Sequence, residues 1–255
     1  MATTRGKLDF FFQFKLSFMG EFEEEFFHVT SCYCDNNPKA RSKFYKAVKL
    51  AALDFQKLYK TKRMAIDISF DDAISKKHFS KDGLLTYIEL VGNTKFGLKA
   101  LDKICAEKSA FKFSRMQKKD MNKLMELDLE SHILDKTSRM RKIFMKKNAR
   151  KNMAQFYGAL LKNNASFVAK ENGKLAGDIA YFVDPKNKWG LVAAIFVAKD
   201  FQGRGLSFEL YKQVLTEFKK KKLELYIGAT TTVGVLASAA KIGRIELKRV
   251  YLVKI

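Results

Sequence analysis

Several residue types are scarce in this 255-residue chain, and each scarcity excludes a class of protein. With two prolines and 14 glycines, no segment has the composition of a flexible or proline-rich linker. Three cysteines and three histidines fit neither a disulfide framework nor a zinc site, so we expect no metal. No apolar run reaches the roughly 18 residues that a spanning helix needs, and no cleavable leader is evident. We therefore expect a cytoplasmic protein without a membrane span.

Apolar residues and basic charge are plentiful. The composition is 47% hydrophobic and 13% aromatic, which is enough for a large core, and the net charge is +22. The charge is uneven, because residues 1–109 carry 19 basic against 14 acidic side chains and residues 110–255 carry 30 against 13. Residues 136–151 contain eight basic residues and no acid. This basic block favours an anionic partner, although lysine-rich helical faces are also common in solvent.

The pattern of the chain predicts two α/β domains, residues 1–109 and 110–255. In the first, two strands break near residue 19, and a helix, two strands and a helix over residues 95–108 follow. This smaller domain has no motif that assigns a function. Its last strand, loop and helix repeat the order of a later strand, loop and helix, which suggests a degenerate copy of part of the second domain.

The second domain has clearer boundaries. Its predicted order is a strand, two helices, a hairpin, a strand, a glycine loop with a helix, a strand, a helix and a final strand. Asn172-Gly173 is a preferred turn pair for a two-residue hairpin. Residues 189–197 form the strand before the glycine loop, and Gly243 ends the last helix.

The loop DFQGRGLS, residues 200–207, has two interpretations. Gly203 and Gly205 either only turn the chain, or they direct successive backbone N–H groups from residue 202 to 207 at a phosphate. The lysine and hydroxyl residue of a P-loop are absent. A Rossmann fingerprint is a weak alternative because its third glycine is missing.

Gln202-x-x-Gly205-x-Ser207, within this order of elements, resembles the GNAT superfamily of acyl-CoA-dependent N-acyltransferases over about residues 111–255. The resemblance implies an α/β fold with a mixed (α+β) sheet, an N-acetyltransferase activity and acetyl-CoA as acyl donor. It also implies that the strand before the loop splays from its neighbour and that the backbone N–H of Phe196 stabilises the oxyanion. The residues that the resemblance assigns to CoA are Ile195, Val197, Gln202, Gly203, Arg204, Gly205, Leu206 and Ser207.

The general acid of the family is missing at its usual place. Members commonly carry a tyrosine four residues before the glycine that ends the penultimate helix, and Ala239 stands there. The customary asparagine position holds Thr232. Ser238 or Tyr226 are candidate substitutes, although each also suits a structural role.

The acceptor is expected at the first two helices of this domain, where the basic block lies. Lys146, Lys147 and Arg150 are the candidate acceptor-binding residues, and they favour a small-molecule or protein amine with anionic groups. Asp178, Asp184 and Glu224 are conceivable amine-binding or base groups, although carboxylates at strand ends are ordinarily solvated. Two alternatives stay open: a basic protein that binds nucleic acid, the ribosome or an acidic protein, and a catalytically silent CoA-binding regulatory module.

Overall fold

The structure is a computed structural model. It describes residues 2–4, 7–19, 24–35, 37–61, 63–69, 72–82, 84–134, 145, 148–230 and 235–254. These residues divide into two compact units. Unit 1 comprises Met1–Ile88 and Leu247–Ile255, and unit 2 comprises Glu89–Glu246. Within the described residues, no helix is both long and apolar enough to cross a membrane.

Unit 1 is a small mixed sheet with two helices. Its elements are β1 (Ala2–Thr4), β2 (Lys7–Met19), β3 (Glu24–Cys34), α1 (Pro38–Tyr59), β4 (Arg63–Ser69), α2 (Ala73–Asp82), the start of β5 (Leu84–Asn93) and most of β11 (Arg244–Lys254). The strand order is β1-β2-β3-β4-β11. β3 and β4 are parallel, whereas β4 pairs with β11 antiparallel.

The core of unit 1 forms where α1 covers the sheet. Asn37 caps α1 by accepting a hydrogen bond from the Lys39 N–H at 2.9 Å, and Pro38 follows at the first helical position. Phe44 and Val48 of α1 are buried against Phe27 and Ile66 of the strands. This spacing of apolar residues on α1 is the helical period that the sequence predicts.

Unit 2 is a mixed sheet with helices on both faces. Its elements are the end of β5, α3 (Thr94–Ile104), β6 (Lys112–Arg115), α4 (Lys118–Leu134), α5 (Ala149–Lys162), β7 (Ser166–Glu171), β8 (Lys174–Asp184), β9 (Trp189–Val197), α6 (Leu206–Lys220), β10 (Leu225–Thr230), α7 (Val235–Lys241) and the start of β11. The strand order is β5-β10-β9-β8-β7-β6. β6 to β9 are antiparallel neighbours, and β9 and β10 are parallel.

Neighbouring side chains of β8 pack into two different hydrophobic cores. Ile179 packs with Leu210 and Phe218 of α6, whereas Ala180 packs with Leu124 of α4 and Tyr157 of α5. Because neighbouring side chains of a strand point to opposite faces, α6 covers one face of the sheet and α4 and α5 cover the other. The edge between these layers, at the end of β9, holds the site described below.

The predicted element order of the second domain is confirmed, and so is the α/β class with a mixed sheet. Asn172 and Gly173 have φ angles of 48° and 80°, as the predicted hairpin turn requires. The boundaries of the two units differ from the predicted domain boundaries of 1–109 and 110–255. One reason is that Leu101 of α3 is buried in the core of unit 2. That two-domain division stays a prediction. α2 was not predicted.

Candidate functional site

β9 and β10 separate halfway along β9. Trp189–Val192 pair in parallel with Leu225–Gly228, and over the described residues the pairing extends no further. Beyond this point Ala193 is exposed, and 37% of the Ile195 surface is exposed. The second half of β9 therefore presents backbone groups that no strand occupies on that side, as the predicted splay requires.

The glycine loop joins the splayed end of β9 to α6. After a 3₁₀ turn at Lys199–Phe201, Gly203 and Gly205 adopt φ angles of 76° and 79°. L-residues with a Cβ avoid this left-handed region, so glycine is needed for the path of the chain. A Cβ at either glycine would meet no atom within 4 Å, so the space beside the loop is open.

Successive backbone N–H groups of the loop have no acceptor. The Gln202 N–H donates to the Lys199 carbonyl at 3.2 Å, so the free run begins one residue later than expected. Among the described residues, the N–H groups of residues 203–207 bond to nothing, and α6 has no side-chain cap. Consecutive free N–H groups at a helix N-terminus, where the helix dipole is positive, form an anion-binding site.

A cleft of about 330 Å³ lies between β9, the glycine loop, α6 and α7. It brings together most of the residues that were assigned to CoA, together with Ser238. The cleft-lining residues that the sequence predicted are Ile195, Val197, Gln202, Gly203, Gly205, Leu206, Ser207 and Ser238. Arg204, Phe196 and Tyr226 do not line it.

Arg204 braces the loop from outside. Its Nη1 donates to Glu171 Oε2 at 3.0 Å, and its Nη2 donates to the other carboxylate oxygen. The guanidinium also lies 4.9 Å from the ring centre of Phe111 and 5.6 Å from that of Phe201. The side chain is thus engaged by Glu171 and two aromatic rings, and Arg204 is not a cleft-lining residue.

The backbone N–H of Phe196, the predicted oxyanion donor, faces β8 and not the splayed side of β9. The Ala198 N–H donates to the Ala176 carbonyl at 2.9 Å, and Phe196 pairs with Asp178 two positions along the same antiparallel ladder. Residues two apart on a strand direct their N–H and C=O groups to the same side, so those of Phe196 face β8. Ile195 and Val197 direct theirs to the splayed side.

The two candidate acids lie in different environments. Tyr226 is completely buried, and its hydroxyl donates to the Ile242 carbonyl at 2.8 Å. Burial raises the pKa of Tyr226 above its ordinary value. This tyrosine packs the core next to Gly92, so we do not assign it to proton transfer. Ser238 is exposed on α7 at the cleft, and Ala239 beside it is 4% exposed.

Sequence reasoning missed two polar cleft residues, Tyr211 and Arg244. Tyr211 lies on α6, and its hydroxyl accepts a hydrogen bond from Arg244 Nη1 at 2.7 Å. Arg244 begins β11, directly after Gly243, and is 5% exposed. Tyr211 had the helical spacing of a core residue. The available signal was an arginine directly after Gly243, the glycine that ends α7.

The predicted acceptor side has a separate cavity of about 220 Å³ between α4 and α5. Arg150 lines it with Met153 of the same helix. The other lining residues, all on α4, are Asn122, Met125, Glu126 and Leu129. Lys146, Lys147 and the Thr232 position lie outside the described residues.

None of the three conceivable base carboxylates lines the cleft. Asp178 is 2% exposed, and it accepts a hydrogen bond from the Ser166 hydroxyl at 3.4 Å. Burial, and then the charge of Asp128, raises the pKa of Asp178 to about 8. Asp184 accepts hydrogen bonds from Asn187, and Glu224 pairs with Lys188 at 2.9 Å. These two carboxylates stabilise local turns.

A splayed mixed sheet with an uncapped glycine loop places unit 2 among the α/β folds in which a helix N-terminus is open to an anion. A sequence model described as the acetyltransferase (GNAT) family matches residues 123–240. This match covers 118 of the 255 residues and supports the GNAT superfamily for the second unit. The match also supports acyl transfer from an acyl-CoA as the general activity.

Solved structures agree at the level of the fold. A GCN5-related N-acetyltransferase from Sphaerobacter thermophilus has a TM-score of 0.56 at 8% identity, with 97% of this chain and 76% of that chain covered. A GNAT acetyltransferase from Colwellia psychrerythraea gives 0.52 at 13% identity, with 89% and 77% covered. A protein of unknown function from Staphylococcus epidermidis gives 0.55 at 12% identity, with 89% and 83% covered. A search of curated protein sequences found no match.

Proposed function

We propose that this protein is an N-acetyltransferase that moves an acetyl group from acetyl-CoA to a primary amine by direct attack in a ternary complex. The observation that carries the proposal is the run of free N–H groups at residues 203–207, of which all but Arg204 line the cleft at the splayed end of β9. A turn alone would not require consecutive unbonded amides at a helix N-terminus. The pyrophosphate of the donor matches this array in charge and hydrogen-bonding capacity.

The rest of the donor follows β9. Ile195 and Val197 direct peptide groups into the splay, where the amides of the pantetheine arm can bond to them as a strand would. The Val197 carbonyl already accepts from Gln202 Nε2 at 3.0 Å, so Ile195 offers the less occupied peptide group. We assign the Ile195 N–H to the thioester oxygen. A preoriented N–H at a developing oxyanion contributes about 3 kcal/mol to transition-state stabilisation.

The acceptor has to be neutral when it attacks. A free aliphatic amine has a pKa of about 10, so a base or a chain of water molecules takes its proton. The basic block and Arg150 at the α4–α5 cavity favour an amine with phosphate or carboxylate groups and disfavour a polyamine.

Calorimetric titration of acetyl-CoA, CoA and NAD at two salt concentrations tests the donor site. We expect micromolar binding of acetyl-CoA with moderate salt dependence and no binding of NAD. Failure of acetyl-CoA to bind would contradict the proposal. If binding to duplex DNA instead falls steeply with salt, the nucleic-acid alternative gains support.

A silent CoA-binding module is a second candidate, because Ala239 places no hydroxyl where the family commonly carries one. Thiol release from acetyl-CoA, measured with a panel of amines with and without anionic groups, separates the two. Turnover supports the enzyme. In the same assay, Arg150→Ala should lower kcat/KM for the anionic amines only, with Lys162→Ala on the same helix as the control. Tight donor binding without turnover of any amine would favour the module.

A further inference from the structure

The cleft contains a tyrosine and arginine pair that the proposed function does not yet use. Tyr211 is partly buried on α6 and lines the cleft together with Ile195 and Val197. Its oxygen accepts from Arg244 Nη1 at 2.7 Å, so its own proton points away from the guanidinium. Among the described residues, that proton has no acceptor. It is therefore available to a ligand in the cleft.

Arg244 is held in place without a carboxylate. It is 5% exposed, its Nη2 lies 3.4 Å from the Leu90 carbonyl, and its guanidinium lies 5.5 Å and 5.7 Å from the ring centres of Tyr211 and Tyr226. No acidic side chain among the described residues forms an ion pair with it. A Cβ on Gly228 would lie 2.6 Å from Nη2, so this glycine makes room for the arginine where β9 and β10 separate.

A positive charge without a counterion acts on the nearest polarisable oxygen. Burial raises the pKa of the Tyr211 hydroxyl above its ordinary value, and the charge of Arg244 offsets part of that rise. Tyr211 is therefore protonated at neutral pH. Once the hydroxyl gives up its proton, the guanidinium stabilises the phenolate. A group that is neutral at rest and stabilised after donation has the properties of a general acid.

We propose, on the basis of the proposed function, that Tyr211 is the general acid of this enzyme and that Arg244 positions it. When the amine has added to the thioester carbon, the C–S bond breaks and its electron pair goes to sulfur. The Tyr211 hydroxyl gives its proton to that sulfur, which leaves as the CoA thiol. The amine nitrogen loses its proton to solvent, and the phenolate takes one back from solvent.

The other hydroxyls fit this role less well. Ala239 has none, and the Tyr226 hydroxyl is fully buried and bonded to the Ile242 carbonyl. Ser238 lines the cleft, but within the described residues its hydroxyl has no hydrogen bond from an arginine such as Arg244 makes to Tyr211. Tyr211 supplies the missing hydroxyl from the opposite side of the cleft, on α6 instead of α7.

The test needs no knowledge of the acceptor, because CoA itself reports the contact. The pKa of the thiol of bound CoA is measured by ultraviolet titration of the thiolate in the wild type, Tyr211→Phe and Tyr181→Phe. Tyr181 is a matched control, since its hydroxyl also accepts from an arginine, Arg115, but it does not line the cleft. Calorimetry gives the CoA affinity of each protein, and circular dichroism checks its fold.

We expect Tyr211→Phe to bind CoA with similar affinity at neutral pH and to raise the thiol pKa by about one to two pH units, because the thiolate loses a hydrogen bond. Arg244→Lys, which keeps the charge, should give a smaller rise. Tyr181→Phe should leave the thiol pKa unchanged. An unchanged thiol pKa in folded, CoA-binding Tyr211→Phe would overturn the assignment and leave the proposed function intact. Failure of the wild type to bind CoA would instead overturn both.

Discussion

The N-termini of α3 and α6 differ in how their first amides are satisfied. Both helices follow a strand of unit 2. In α3, the Asn93 side chain accepts from the N–H groups of Lys95 and Phe96 at 3.0 and 3.2 Å, and the Thr94 N–H donates to the Glu224 carbonyl. In α6, the residue at the cap is Gly205, which has no side chain, and the neighbouring amides are free.

This difference separates a structural helix end from a binding site. A side-chain cap stabilises its own helix by about 1 kcal/mol and leaves nothing for a ligand. A glycine cap in the left-handed region gives up that stabilisation and keeps the amides available. The comparison also bears on the suggested internal repeat: α3 follows its strand as α6 does, but without the open loop. The repeat stays a prediction.

The largest expected effect comes from filling the open end of α6. Gly205→Glu places a carboxylate among the free amides and should lower acetyl-CoA affinity by at least 100-fold, as measured by calorimetry. Gly173→Glu is the matched control, because Gly173 has a φ of 80° against 79° for Gly205 and similar open space. Both variants add the same charge and similar backbone strain, about 1–2 kcal/mol. Equal affinities of the two variants would refute the phosphate role of the loop.

Removing the side-chain cap of α3 should lower stability and leave acetyl-CoA affinity unaffected. Asn93→Ala removes the acceptor of two helical amides and should reduce the free energy of unfolding by about 1 kcal/mol, as measured in urea. Acetyl-CoA affinity should stay within about twofold of the wild type. A large loss of affinity would show that the two helix ends are not functionally distinct.

Ser207→Ala should lower acetyl-CoA affinity and leave stability unchanged, which is the opposite of the result expected for Asn93→Ala. The Ser207 hydroxyl has no hydrogen-bond partner among the described residues, so its loss should leave the unfolding free energy unchanged. If the hydroxyl bonds to the donor phosphate, affinity should fall by about two- to tenfold, since one hydrogen bond contributes about 0.5–1.5 kcal/mol. Unchanged affinity would confine phosphate binding to the backbone.

The smallest effect is expected from releasing Arg204. Glu171→Gln weakens an ion pair in which 42% of the arginine side chain is exposed, and such exposed pairs contribute little because solvent screens them. Acetyl-CoA affinity should fall by less than about fivefold, because the glycine dihedrals fix the loop. Glu224→Gln, which weakens the exposed pair with Lys188, is the control. A loss of acetyl-CoA affinity as large as that of Gly205→Glu would show that the Arg204–Glu171 pair is essential for donor binding.

Features set by local sequence were predictable. The bounds of β9, the Asn172-Gly173 turn and the left-handed glycines depend on neighbouring residues, and the structure has them as predicted. The side to which the Phe196 backbone N–H points depends on the register of β9 with β8, which includes a bulge at Ala180/Tyr181. Local sequence could not predict this direction. The contact of Tyr211 with Arg244 joins residues 33 positions apart and depends on the packing of α6 against β11.

The chain leaves unit 1 within β5 and returns to it within β11. Lys248–Lys254 pair with Arg63–Ser69, so β4 receives this neighbour only after all of unit 2 has been synthesised. On the ribosome, unit 1 emerges first and is completed last. Unit 2, which carries the cleft, is a continuous segment and can form in between. Termination after residue 246 would therefore retain every residue of unit 2 and leave the first-made sheet without a strand.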